Sequence, residues 1–378
     1  MIHQLVLCLA CTVSVASAQQ LAWSQFISDT NSPQAFLSFG QAHLSSRKDS
    51  LRALAESAFV RAARLDPISG RPSYLLALST LLPAVRKSRG FFHSRNIWRH
   101  LNARQTARVD SLLGETFLRE PFADYFLDPI LAPDELPLPY QVREREDRAY
   151  VAYQAGHYRS ALDLWAQVIA RSPERIDLRW HRAHVFYWQR QYDSAIVTLK
   201  DMLAHLAPAD DSLAYWLPET DILEYAMGIA YERAGNVEAA ADAYRRTLIA
   251  NLGTYMARVR LSAILLDRGD TVNAVREISI ALDVAPSEPL ILAHYGAMLV
   301  RVGRSNDALE PLQSVVRTHP AYATPYLVLG MAYTDLHRDP EALQAFDMFL
   351  DHAAKDDERR AWATYRVREL RASVKDSF

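Results

Sequence analysis

The feature that most limits what this chain can become is a recurrence every 34 residues. In "EYAMGIAYERAGNVEAAADAYRRTLIA", residues 224–250, let Gly228 stand at the eighth place of a unit and Ala240 at the twentieth. Steps of 34 residues reach Ser262 and Ala274, then Gly296 and Ala308, then Gly330 and Ala342. The eleventh place reads Tyr231, Leu265, Leu299 and Tyr333, and the twenty-fourth reads Tyr244, Ile278, Leu312 and Phe346. Four units keep this phase from 221 to 356 without a gap. A recurrence of this length is the mark of stacked supersecondary units rather than of one globular layer.

The spacing has a physical reading. Places 4, 7, 8 and 11 make one stripe of a first helix, and places 20, 24 and 27 make the facing stripe of a second. Small residues at places 8 and 20 let the two backbones come close. Gly235, Gly269 and Gly303 fall at the turn, where a helix C-terminus favours a left-handed residue. Pro286 and Pro320 end their second helices, because proline lacks the N–H and clashes with the preceding turn. With these residues in place the chain resembles an exported bacterial member of the tetratricopeptide repeat superfamily. The resemblance implies an all-α, right-handed superhelical solenoid of antiparallel helix pairs.

The same frame reads backwards through "GHY", Ala161, Trp165 and Pro173 in a unit at 142–175, and through "QYDSAI" and Leu199 in a unit at 176–208. Phe36, Phe39 and Gly40 open a first repeat that Ala55, Phe59, Ala62 and Pro67 close, within a lead segment and repeat at 19–67. That makes seven repeats. Residues 68–141 leave the frame: two helical stretches are followed by "DPILAPDELPLPY" at 128–140, whose four prolines exclude regular structure. A shorter break occupies 209–220, and a highly charged final helix in 357–378 resembles the solvating cap that closes such arrays.

Composition adds bounds. The chain is 50% apolar with a formal net charge of −2, so it lacks the basic excess of nucleic-acid binders. No charged residue precedes Asp29, and an apolar run from Leu5 leads to Ala16-Ser17-Ala18. This predicts a signal peptide over 1–18, cut before Gln19, and an exported protein whose expected compartment is the periplasm of a Gram-negative bacterium. Both cysteines, Cys8 and Cys11, lie in that segment. A rival reading makes Cys11 a lipid anchor. No later stretch has the length of a transmembrane segment.

No nucleophile elbow, phosphate loop or metalloprotease motif is present, so the expectation is no enzyme, no cofactor and no metal. His181 and His184 share a helix face but have no convincing third ligand. Two binding surfaces are candidates. The resemblance implies that places 2, 5, 9, 12 and 13 face a concave groove; in the 142–207 units these hold Tyr150, Tyr153, Trp180, His184, Tyr187 and Trp188. Such a set suits a protein or peptide ligand, with Trp180, Tyr187 and Trp188 at least partly exposed. In the four phased units the same places are mostly apolar, as at Tyr225, Ile229, Met256, Val259, Leu290, Val300 and Leu327. An apolar groove does not stay bare in water, so a partner helix or the chain's own lead segment or 128–140 loop should fill it. The alternative surface is the basic-aromatic 86–108 stretch, with Arg86, Lys87, Arg89, Arg95 and Arg99, which would meet anionic lipid or glycan in the envelope. The preferred function is a non-enzymatic exported scaffold or adaptor, and oligomeric state stays open.

Overall fold

The structure is a computed structural model, and it describes residues 23–44, 46, 48–87, 99–122, 140–206 and 219–376. The expected leader at 1–18 with Cys11, the 128–139 prolines and most of the 209–220 break lie outside the described residues. Among the described residues all regular structure is helical, and successive helices pack as pairs.

The chain divides into two compact units: Met1–Leu76 together with Pro286–Phe378, and Ala77–Ala285. In the first unit the opening pair is α1 (Pro33–Leu44) and α2 (Asp49–Leu65). Helix α3 (Arg71–Lys87) contains the division between units, and α4 (Ala103–Arg119) is the other helix of the stretch outside the repeat frame. The α4 start is fixed by a capping box between Asn102 and Gln105, which satisfies two otherwise orphaned N–H groups. The second unit continues with α5 (Tyr140–Gln154), α6 (Tyr158–Ile169), α7 (Ile176–Trp188), α8 (Tyr192–His205), α9 (Thr220–Arg233), α10 (Val237–Ala250), α11 (Tyr255–Asp267) and α12 (Thr271–Val284). The first unit resumes with α13 (Pro289–Arg301), α14 (Ser305–Thr318), α15 (Thr324–Asp335), α16 (Asp339–His352) and α17 (Arg359–Asp376).

Second helices start at Val237, Thr271, Ser305 and Asp339, in step with the sequence period. The turn before each is a Schellman motif: the Gly235 N–H donates to the Glu232 carbonyl at 3.0 Å and the Asn236 N–H to Tyr231 at 2.9 Å. Gly235, Gly269 and Gly303 carry φ of 77–79° there, while Arg190 (φ 60°) and His337 (φ 55°) take the same place without glycine's freedom.

Packing inside a pair refines the expected close approach. Ala240, Ala274, Ala308 and Ala342 at place 20 are wholly buried. The eighth-place glycine does not face that alanine alone; it receives the side chain at place 24. A Cβ on Gly228 would sit 2.3 Å from the Tyr244 ring, and one on Gly330 would sit 2.4 Å from the Phe346 ring. Trp165, also at place 24, is 1% exposed, as the frame requires. First helices bury more than one face: residues Leu223 to Ala230 of α9 are all buried.

The closing helix α17 covers the last pair with Ala363, Val367 and Leu370 and turns Trp362 and Tyr365 partly to solvent. In the same unit the lead segment reaches the last repeats. The Asn31 side chain donates to the Asp351 carbonyl at 2.7 Å, the Lys355 N–H donates to Asp29 at 2.8 Å, and Ile68 packs against Ala293, Val315 and Tyr322.

Candidate partner-binding face

The six aromatic and histidine positions anticipated for the groove lie on α5 and α7, and the structure divides them. Tyr150 is buried and its hydroxyl hydrogen-bonds His181 Nε2 at 2.7 Å, with Trp165 edge-on at 5.7 Å. Tyr153 is half-buried against Trp165 and Tyr158. These two therefore belong to the packing of the α5–α6 pair. Trp180 is 4% exposed and His184 is fully buried, so the expectation that Trp180 is open to solvent is corrected. Tyr187 is half-buried, and Trp188 is 53% exposed.

The cause of the burial is Phe122, three residues past the end of α4 and 3% exposed. Its ring stacks on Tyr187 with centroids 3.9 Å apart and planes 4° apart. It lies parallel to Trp180 at 6.1 Å and tilted against His184 at 5.0 Å. The Trp188 indole N–H donates to the Phe122 backbone carbonyl at 2.9 Å. Trp180, His184 and Tyr187 form an aromatic clamp on one phenyl ring, Trp188 holds the backbone beside it, and the occupant comes from outside the repeat frame. Offset-parallel aromatic pairs of this kind add to simple area burial by about 0.5–1.5 kcal/mol each. Burial pushes the His184 imidazole well below its ordinary range.

Beside the clamp lies a polar cluster that sequence reasoning missed. Arg260 donates to the Tyr225 hydroxyl at 3.2 Å and to Glu232 at 3.0 Å, while the Tyr244 hydroxyl donates to the same Glu232 carboxylate. Burial raises the Tyr187 phenol, while Arg233 and Arg260 oppose the rise. Burial raises the Tyr225 phenol, and the carboxylates of Glu232 and Glu120 push in the same direction while Arg260 opposes them. Burial raises Tyr244 well above its usual range, with Glu232 adding to the effect. Burial alone would lower Arg260, but Tyr225, Tyr244 and Glu232 outweigh it and hold the guanidinium firmly charged. Glu120, the C-cap of α4, stands two residues before Phe122. Arg233 stands at place 13 and was within reach of the repeat frame. Nothing in the sequence pointed to Glu120 or Phe122, which precede the proline-rich run.

Elsewhere along the inner positions, Ile229, Met256, Val259, Leu290, Val300 and Leu327 are all buried. In the first unit Ile68, the first residue of the stretch outside the repeat frame, packs against Ala293, Val315 and Tyr322. The basic-aromatic stretch falls largely outside what can be described: Arg89 and Arg95 lie outside the described residues, as do the side chains of Arg86 and Lys87, and Arg99 is exposed. Among the described residues no group of three His, Cys, Asp or Glu side chains could hold a metal ion, and no helix is long and apolar enough to cross a membrane.

Comparison with known proteins agrees with this architecture. The tetratricopeptide repeat family matches residues 146–211 and 225–289. No curated protein sequence matches the chain. Among solved structures, the chain is similar to YrrB, described as a tetratricopeptide repeat protein with an unusual peptide-binding site, at 17% identity and a TM-score of 0.41, over 53% of this chain and 97% of YrrB. It is similar to the C-terminal part of a tetratricopeptide repeat-containing protein from Cytophaga hutchinsonii at 12% identity and a TM-score of 0.45, over 55% of this chain and 78% of that one. Yeast Tom70 aligns over 91% of this chain and 65% of its own, at 13% identity and a TM-score of 0.47.

Proposed function

Because residues 146–211 and 225–289 are tetratricopeptide repeats, we propose that this protein is a non-enzymatic scaffold that binds a protein or peptide segment on the inner face of its first helices. The observation that carries the reading is the aromatic clamp of α7. Three side chains from one helix converge on a phenyl ring, and Trp188 of the same helix donates to that residue's backbone carbonyl, a group every polypeptide carries. The polar groups beside it are committed to one another: Glu232 is held by Tyr244 and Arg260, an arrangement that positions side chains and offers no base beside a nucleophile. The charge-free leader supports placing this scaffold in an exported compartment, with a role in envelope assembly.

The test uses a photo-crosslinking residue in place of Trp188, the exposed edge of the clamp, in cells that make the full chain. A partner should crosslink at 188 and not at a control position on the outer helices such as Val197, which is 66% exposed. Trp188→Ala should weaken that partner by about 2 kcal/mol or more, as loss of a hot-spot aromatic does. Equal crosslinking at 188 and 197 would remove the inner face from the reading. Intact mass of the mature chain checks the compartment: a start at Gln19 supports export, and retention of Met1 opposes it.

A further inference from the structure

The closing helix α17 departs from what a solvating cap requires. A repeat array ends on a helix whose outer face is polar, so that water can wet it. The inner face of α17 is Ala363, Val367 and Leu370, all buried in the core of the last pair. At about 100° per residue, the opposite side carries Ala361, Tyr365, Arg368 and Ala372, all exposed, with Trp362 and Glu369 along one edge. Tyr365 is 57% exposed and Trp362 is 44% exposed. Both rings are held in place. The Tyr365 hydroxyl donates to Glu369 at 2.5 Å, and Trp362 stands edge-on to Phe346 at 5.6 Å. Aromatic rings that are already fixed lose little freedom when something covers them. Arginines follow within the next turns. Arg366 is paired with Glu369 and Arg371 with Asp347, while among the described residues Arg368 has no ion-pair partner.

The order of these residues decides what can cover them. Ala361, Tyr365, Arg368 and Ala372 are spaced four, three and four apart, so the stripe has the same spacing from either end. Its first half carries the aromatics and its second half the cations. We propose that this stripe is a self-association surface, on which α17 of a second copy lies antiparallel about a two-fold axis midway between Arg366 and Val367. About that axis Ala361 meets the second copy's Ala372, Tyr365 meets its Arg368, and Trp362 meets its Arg371. Each aromatic face then receives a guanidinium, a weakly hydrated cation that stacks well on such rings. The alanines at the two ends let the backbones approach. The two-fold axis makes every one of these contacts twice. A parallel pairing would instead set Arg368 against Arg368, like charge against like charge. The stripe runs for about 16 Å along the helix, less than a standard interface of about 800 Å² per partner provides, so the association is reversible. The inference is independent of the scaffold reading, since it uses no residue of α5, α7 or α9.

Sedimentation velocity of the full chain over a wide range of concentration tests the proposal, and it should show a reversible monomer–dimer equilibrium. Tyr365→Ala should weaken the dimer at least about tenfold, as loss of a central aromatic does. Arg368→Glu should weaken it at least as much, because an acid then faces the Tyr365 ring. That side chain is exposed and has no described ion-pair partner to lose, so the variant keeps the fold and remains decisive if Tyr365→Ala loosens the helix. The pairing is read with cysteines in a chain carrying Cys8→Ser and Cys11→Ser, which removes both natural thiols. Ala361→Cys mixed with Ala372→Cys should form a disulfide-linked pair in air, and neither variant alone should, because only the mixture brings two thiols into bonding range. A monomer at every concentration overturns the proposal. A dimer left intact by both Tyr365→Ala and Arg368→Glu overturns it as well. Either cysteine variant linking to itself as fast as the mixture overturns the antiparallel pairing.

Discussion

At the scale of single residues, two positions break a rule that the rest of the array keeps. Arg190 and His337 occupy the left-handed turn position that glycine fills in four of the repeats. An L side chain there costs about 1 kcal/mol that glycine avoids. Arg190→Gly and His337→Gly should each stabilise the protein by about 0.5–1 kcal/mol, measured by urea unfolding, with the Schellman hydrogen bonds kept. A second residue-scale consequence concerns pH. Burial holds His184 well below 6.5 and lowers His352 as well. A histidine whose folded value is depressed takes up its proton first in the unfolded chain. Stability is thus full above pH 6.5 and falls as pH drops below it, by at most about 1.4 kcal/mol per pH unit for each such group. Melts between pH 7.5 and 5 should show this decline, and His184→Gln should make it shallower. An unchanged slope would mean that another group carries the proton uptake.

At the scale of helices, the repeat frame specifies contacts between neighbours. Ala308, fully buried, lies where α14 meets the pair it stacks on. Ala308→Leu overpacks that crossing at a cost of about 1–3 kcal/mol. Hydrogen exchange should rise across α13 to α16 and stay unchanged in α9 and α10, because repeats couple mainly to adjacent ones. The pair-forming positions were legible in the sequence because they recur: Tyr244, Leu312, Phe346 and Trp165 are all buried at place 24. The clamp was legible in half. Trp180, His184, Tyr187 and Trp188 could be placed on one face from the period, but Phe122 could not be matched to them. Nothing in local sequence couples residue 122 to residues 180–188, since that contact is set by where α4 ends rather than by any repeat. The ion pairs are a third case. Arg175 is held by two hydrogen bonds to Glu146, at 2.6 and 2.8 Å, and two to Asp177, tying α5 to the start of α7. The pattern of apolar residues carries no trace of such polar ties. Burial pushes Asp177 up, yet Arg175 outweighs it and leaves the carboxyl below its usual range.

At the scale of the whole chain, the first compact unit is assembled from both ends of the sequence. Contacts that join the two ends include Asn31 to Asp351, Lys355 to Asp29 and Ser28, and Ile68 against Ala293, Val315 and Tyr322. The double variant Asp29→Ala, Asn31→Ala removes the Asn31–Asp351 and Lys355–Asp29 bonds at about 1–2 kcal/mol in total, each typical hydrogen bond contributing about 1 kcal/mol. Exchange protection at Ala353 and Lys355 should fall while that of α9 to α12 is kept. Uniform loss across the chain would show that the two units unfold as one. The partners Asp29 and Lys355 are 326 positions apart in the sequence. A linear repeat array is the standard example of a fold made from local contacts, able to nucleate at any point and spread. Here the segment before the opening pair cannot reach Asp351 and Lys355 until the chain beyond residue 355 has emerged from the ribosome. Those ties therefore form after the repeats between them have been made, and a chain cut before residue 351 never forms them.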